Sequence, residues 1–141
     1  MKSFPGFLAV LLLAACVATG NSTGDSPLRN TYWKLVHLGD RPAESLEKQR
    51  EAHLILSASE PRVSGSGGCN RVMGSFELDG DQLRFGRMAS TMMACVAGME
   101  QEQRLHQALA KVQRYRISGS QLEMLDGSGA VLARFEAVAL R

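Results

Sequence analysis

Val72-Met73-Gly74-Ser75-Phe76-Glu77-Leu78-Asp79-Gly80-Asp81-Gln82-Leu83-Arg84-Phe85 is the stretch that decides the fold class. Val72, Gly74, Phe76 and Leu78 occupy alternate positions, so an extended chain places them on one face. Leu83 and Phe85 resume the alternation after a break. The break holds Asp79-Gly80, the strongest short-range signal for a tight hairpin. Two strands joined by so short a turn must be antiparallel.

The same period recurs outward in both directions. Trp33, Leu35 and His37 alternate with Lys34, Val36 and Leu38, with Trp33 expected as a core anchor. Ala52, Leu54 and Leu56 share a face. Tyr115 and Ile117 alternate with Arg114, Arg116 and Ser118. Gly119-Ser120 turns the chain into 121–125, and Asp126-Gly127-Ser128-Gly129 turns it again into Val131, Ala133 and Phe135. One segment changes period: Leu105, Ala108, Leu109 and Val112 stand at helical spacing, and Glu100 and Arg104 form an i,i+4 pair. The expectation is mainly β with one helix, about 98–111, packed on a curved antiparallel sheet that closes toward a compact barrel. The polar run 40–51 reads as a loop or a frayed helical turn.

The first residues read differently. Lys2 precedes the apolar run Phe7–Ala15, which is shorter than the ~20 residues a membrane span needs. It fits the apolar core of a secretory signal. Leu13-Ala14-Ala15-Cys16 resembles the lipobox of bacterial lipoproteins, which implies a signal peptide over 1–15, cleavage before Cys16 and lipid on its thiol. Several acyl chains at ~0.8 kcal/mol per buried CH₂ hold a protein firmly to a membrane. Val17, a residue other than Asp, favours an outer-membrane address by resemblance to enterobacterial lipoproteins. Residues 16–30 are then the lipidated cysteine and a polar, aperiodic tether, and 31–141 form one domain. Removing Lys2 leaves 15 basic against 14 acidic residues. That balance, without a basic run, argues against a nucleic-acid binder.

Cys69 and Cys95 are the remaining thiols. In an oxidising envelope two cysteines usually pair, and the closed loop of about 27 residues stabilises by roughly 3.5 kcal/mol in the chain-entropy model. Two reduced buried cysteines are the alternative. No CxxC spacing or neighbouring histidine favours a metal.

Several segments form a recognisable series: Trp33-Lys34-Leu35 with Gly39, Val63-Ser64-Gly65-Ser66-Gly67-Gly68-Cys69-Asn70-Arg71 leading to Gly74-Ser75-Phe76, and Leu83-Arg84-Phe85-Gly86. Ala89-Ser90-Thr91-Met92-Met93-Ala94-Cys95, Glu102 through Val112, and Leu122–Asp126 before Phe135 complete it. This series resembles the META domain, the family that includes HslJ-like heat-inducible envelope proteins, over nearly all of 31–137. The resemblance implies a compact barrel-like fold with a helix. It also implies a link to stress or envelope integrity, including tolerance of novobiocin. It brings no established reaction, so no catalytic residue, metal or cofactor is expected.

Other constellations carry chemistry less well. Ser64–Asn70 has the glycines of a phosphate loop but lacks the Gly-Lys-Ser/Thr ending and a following helix, so a bend between strands fits better. Cys69 as a nucleophile needs a base, and His37, His53 and His106 are scattered. Glu102 and His106, one helical turn apart, face one way but lack a third ligand. Met73, Met88, Met92, Met93 and Met99 fit soft-metal chemistry or, more commonly, core filling. Asn70, Arg71, Ser90 and Thr91 would form a polar patch if Cys69 and Cys95 meet, with Thr91 in reach of Asn70. They are the candidate binding surface. The expected role is a non-enzymatic envelope protein, held to membrane through Cys16, that binds another envelope component. The alternatives are a small-ligand site in the barrel mouth and an inhibitor of an envelope hydrolase acting through loop 86–93.

Overall fold

The computed structural model describes Met1 and residues 24–139. The expected signal peptide from residue 2, Cys16 and the expected tether up to residue 23 lie outside the described residues. Ten strands and one helix follow in order: β1 (Tyr32–Leu38), β2 (Arg41–Pro42), β3 (His53–Leu56), β4 (Arg62–Ser66), β5 (Arg71–Asp79), β6 (Gln82–Phe85), β7 (Ala89–Ser90), α1 (Met99–Lys111), β8 (Arg114–Ser118), β9 (Gln121–Leu125) and β10 (Val131–Val138).

The hairpin read from the sequence is β5–β6. Asp79 pairs with Gln82, and Gly80 takes the first central position with φ 58°, where a side chain would be strained. Pairing runs β1-β3-β4-β5-β6-β8-β9-β10, and β10 returns to pair with β1 from Tyr32↔Val138 to Leu38↔Ala133. Every pairing in that ring is antiparallel, so the sheet is a closed eight-stranded barrel. The sheet curls enough to close with the help of bulges in β1 and β10. The bulge in β1 also corrects one expectation. Alternation holds through Trp33 and Leu35, then slips between Leu35 and His37. Leu38 therefore packs against the core and His37 faces outward beside exposed Arg134.

The barrel interior is filled by side chains. Trp33, Phe76 and Phe135 are fully buried with Leu54, Leu56, Val63, Leu83, Leu122 and Met124. At ~1.5–3 kcal/mol for each such side chain, this packing is the main source of stability. Among the described residues these side chains take up space that a lipocalin-like ligand chamber would need.

The two poles differ. The short connections 57–61, 80–81 and 119–120 lie at one pole, and the longer ones 39–52, 67–70, 86–98 and 126–130 at the other. α1 packs against β10, β6 and β1, strands on opposite sides of the ring, so it covers the long-loop pole. Leu105 and Leu109 point down into the barrel from it. The helix spans 99–111, and Gly98 precedes it at φ 87°.

The opposite pole is covered by residues assigned to the tether on sequence grounds. Ser26 N–H donates to Gly119 O, Asp25 Oδ1 accepts from Gly119 N–H, and Asn30 N–H donates to Leu56 O. Leu28 is 7% exposed, and its carbonyl accepts the Trp33 indole N–H at 2.9 Å. The Arg29 guanidinium sits 5.1 Å from the Phe76 ring centroid. Residues 25–30 therefore belong to the folded body. One buried leucine among polar neighbours leaves no periodic signal, and that is why composition alone assigns them to a linker. Among the described residues no helix is long and apolar enough to cross a membrane.

Candidate functional site: the loop pole around Asn70

The β4–β5 connection, Gly67–Asn70, meets the first turn of α1. Gly67 leaves space that a side chain would take from Glu102, since a Cβ there would lie 2.5 Å from Glu102 Cγ. Glu102 fills that space and is 4% exposed. Its Oε1 accepts the Asn70 backbone N–H at 2.6 Å, and its Oε2 accepts from Asn70 Nδ2 at 2.7 Å. The glycine-rich loop packs against the chain's own helix carboxylate, while its Gly67 and Gly68 N–H groups donate to Asn70 O and Ser66 Oγ. A negative charge in the first turn also faces the positive end of the helix. A helix interior rarely buries a carboxylate unless it is hydrogen-bonded. Here Asn70 supplies both donors.

Asn70 is the node of the site and is 3% exposed. Its Nδ2 also donates to Met93 O at 3.1 Å. Its Oδ1 accepts the Met93 N–H at 2.7 Å and the Thr91 hydroxyl at 2.9 Å. An amide side chain has two donors and two acceptor sites, and all four are occupied. The backbone of Asn70 is equally committed, its carbonyl accepting from Gly67 N–H and the Ser66 hydroxyl. Thr91 Oγ1 in turn accepts the Arg71 N–H, and Thr91 N–H donates to Arg71 O. Cys69 and Cys95 are disulfide-bonded with Cα atoms 6.0 Å apart. The bond excludes Cys69 as a free nucleophile and fixes segment 91–95 against the β4–β5 connection.

The four patch residues thus come together, with different duties. Asn70 is internal and structural. Arg71, Ser90 and Thr91 keep exposed surfaces. Glu102 joins the structural network instead of facing a metal with His106, because both its oxygens are directed at Asn70. Sequence reasoning placed Glu102 on a helix without seeing that it shares the buried stripe of Leu105 and Leu109. The signal was available: it lies three and seven residues before them.

Two hollows flank this node and share Asn70, Thr91 and Met93 in their walls. One, of about 410 Å³, is edged by Lys48, Arg50 and Arg71 beside the disulfide. Lys48 there has φ 66°, an uncommon backbone conformation for a residue with a side chain. The other, of about 500 Å³, runs between Ser90–Ala94 and the α1 face of Met99, Glu102, Gln103 and His106. Gly74 lets Arg87 and Met88 pass against β5, where a Cβ would collide with Met88 Sδ and Arg87 O. The loop 43–52 braces the pole through Glu44 N–H to Gln101 Oε1 at 2.6 Å and Gln49 Nε2 to Ala97 O at 2.9 Å.

Elsewhere two strand residues, Tyr32 and Glu123, titrate away from their ordinary values. Burial and a hydrogen bond to Glu51 push the Tyr32 hydroxyl up to about 12. Burial works against ionisation of Glu123. It is outweighed by Arg116 and Arg134, whose hydrogen bonds at 3.0 and 3.2 Å hold that carboxyl below its usual range.

Comparison with known proteins follows the fold. An NMR structure of a protein from Burkholderia xenovorans matches with a TM-score of 0.67 and 25% identity, covering 99% of this chain and 100% of that one. A second NMR structure matches with a TM-score of 0.61 and 19% identity, over 77% of this chain and 89% of its own, and shows the same fold. No curated protein matches the chain in sequence. The model of the META domain matches residues 26–139, a start that includes most of the docked segment ahead of β1, and the chain belongs to the META domain family.

Proposed function

We propose that this protein is a lipid-anchored component of a bacterial envelope that binds another envelope component and supports integrity under stress, without catalysing a reaction. The observation that carries the reading is the division of labour between the poles. The chain enters the barrel at the pole covered by Leu28, while the disulfide, the long loops and both hollows gather at the other. The nine residues from Cys16 to Gly24 reach at most about 30 Å when extended. A barrel of such strands is about 25 Å tall. Because that tether joins the body at the docked segment and is about as long as the barrel is tall, lipid on Cys16 would leave the loop pole free to face the periplasmic space. The lipobox and the resemblance to HslJ-like proteins support the address and the link to stress.

The test is genetic. Deletion is expected to sensitise cells to heat, detergent and novobiocin, with rescue by the intact chain and failure of rescue by Cys16→Ser. Unchanged sensitivity on deletion removes the stress role, and full rescue by Cys16→Ser removes the anchor from it. The hydrolase-inhibitor alternative gains one specific point: Met92 of loop 86–93 is 96% exposed. It predicts that the purified chain slows a cell-wall or lipid hydrolase, which an envelope adaptor does not do.

A further inference from the structure

The hollow between segment 90–94 and α1 has features that a random surface depression lacks. Its first wall is extended backbone. Ser90 pairs opposite Val72 and Ala89 opposite Met73, and Thr91 N–H bonds Arg71 O. Met93 N–H and C=O both bond the Asn70 side chain. Odd-numbered residues 89, 91 and 93 thus turn their backbone groups toward β5 and Asn70. Alternation then directs the N–H and C=O of Ser90 and Met92 the other way, along the free edge and into the hollow. The second wall is one face of α1, since Met99, Glu102, Gln103 and His106 follow the i, i+3, i+4, i+7 spacing.

The lining is apolar where the edge is open. Met92 is 96%, Met93 59% and Met99 40% exposed, and Ala94 lies between them. Flexible thioethers exposed together are characteristic of surfaces that adapt to apolar side chains. The adjoining hollow adds the charge, with Lys48, Arg50 and Arg71 in its wall and no acidic residue there. None of these three cations forms a salt bridge among the described residues. The strand edge is itself well fixed, by the disulfide and by Asn70. A rigid open edge is a template for strand pairing.

We infer that this groove binds an extended segment of another polypeptide by adding it as a strand to the 90–92 edge. Its apolar side chains settle on Met92, Met93 and Met99, and an acidic residue at one end meets Arg71 with Lys48 and Arg50. This rests on the reading of the protein as a binding component and names the chemistry of its partner. A peptide fits the site better than a lipid surface for two reasons. A membrane has no use for a row of backbone donors and acceptors, and the groove lies at the pole away from the docked N-terminal segment.

The probe is a display library of random short peptides, selected on the full chain held in lipid nanodiscs, followed by synthesis of the enriched peptides. Enrichment of sequences with apolar residues at alternate positions and an acidic residue nearby is expected. Binding should protect the Ser90 and Met92 amides from hydrogen exchange. Ser90→Pro removes the outward N–H without removing a β5 pairing bond, and should weaken binding about five- to tenfold. Peptides N-methylated at alternate positions should lose affinity in one register and not the other, a readout that needs no altered protein. Arg71→Glu should weaken an acid-bearing peptide and leave its amide counterpart unchanged. An unenriched library overturns the inference. So does binding without protection at Ser90 and Met92, indifference to N-methylation, or preference for phosphatidylglycerol vesicles over every peptide. A deletion phenotype without peptide binding refutes the groove and spares the envelope role, whereas peptide binding without a phenotype does the reverse.

Discussion

Replacing Asn70 by alanine tests the loop pole most directly. The change removes four side-chain hydrogen bonds, of which one is to the Glu102 carboxylate and three are to Met93 and Thr91. A bond to a charged group contributes about 2 kcal/mol and a neutral one about 1 kcal/mol, so the ceiling is about 5 kcal/mol. Met93 and Thr91 are exposed, and water replaces most of what they lose. Glu102 is not, and keeps only the Asn70 backbone donor. The expected loss is therefore about 2–3 kcal/mol, or roughly 10 °C in melting temperature for a domain of this size. Calorimetry on the oxidised protein measures it. Because the loss is concentrated at one carboxylate, Asn70→Ala and Glu102→Ala should be non-additive by about 1–2 kcal/mol. Asn70→Asp should be worse than Asn70→Ala, since it sets a second carboxylate where the Nδ2 donor stood 2.7 Å from Glu102. A destabilisation below about 1 kcal/mol, with an additive cycle, would falsify the node.

Three further outcomes follow from other parts of the molecule. Leu28→Ala should destabilise by about 2–3 kcal/mol in urea unfolding, as a buried leucine does, whereas a tether residue would give no change. Reducing the Cys69–Cys95 bond should cost about 3.5 kcal/mol in the chain-entropy model, read from melting with and without reductant; an unchanged melting temperature refutes that stabilisation. Glu123 has its folded pKa depressed, so its contribution is present above the unfolded value of about 4.3 and is lost as pH falls through the folded one. Glu123→Gln should therefore flatten the acid loss of stability in urea midpoints taken below about pH 5. An equal slope in both proteins removes the Arg116–Glu123–Arg134 cluster from the acid response.

Legibility in the sequence followed periodicity and failed where periodicity was broken. Val72 to Phe85, Ala52 to Leu56 and Tyr115 to Ile117 could be placed because one-sided burial leaves a period of two. His37 was misplaced because a bulge adds one residue that no composition marks. Leu28 was missed because a single docked side chain has no period. At the loop pole, Cys69, Asn70 and Thr91 stood out by residue type, but Glu102 did not, because a charge on an apolar stripe reads as the polar face. The groove beside α1 was invisible for a different reason. It depends on which backbone groups are already used, and that is a property of register alone.

The barrel closes by pairing β1 with β10, residues about a hundred positions apart. A chain emerging from the ribosome or a translocon makes β1 first and its partner last. Until Val131–Val138 arrives, β1 has an unsatisfied edge, and Trp33 and Leu35 lack the wall that Phe135 supplies. Such long-range closure is slow relative to hairpin formation, so β5–β6 and β8–β9–β10 should form while the barrel is still an open sheet. The interval is a window for misassociation, and its length is set by the distance between the two strands along the chain. A circular permutation that joins β10 to β1 and opens the β6–α1 connection would move the late closure to the shorter β6–β8 seam around Gln82↔Arg114, without altering one residue of the core.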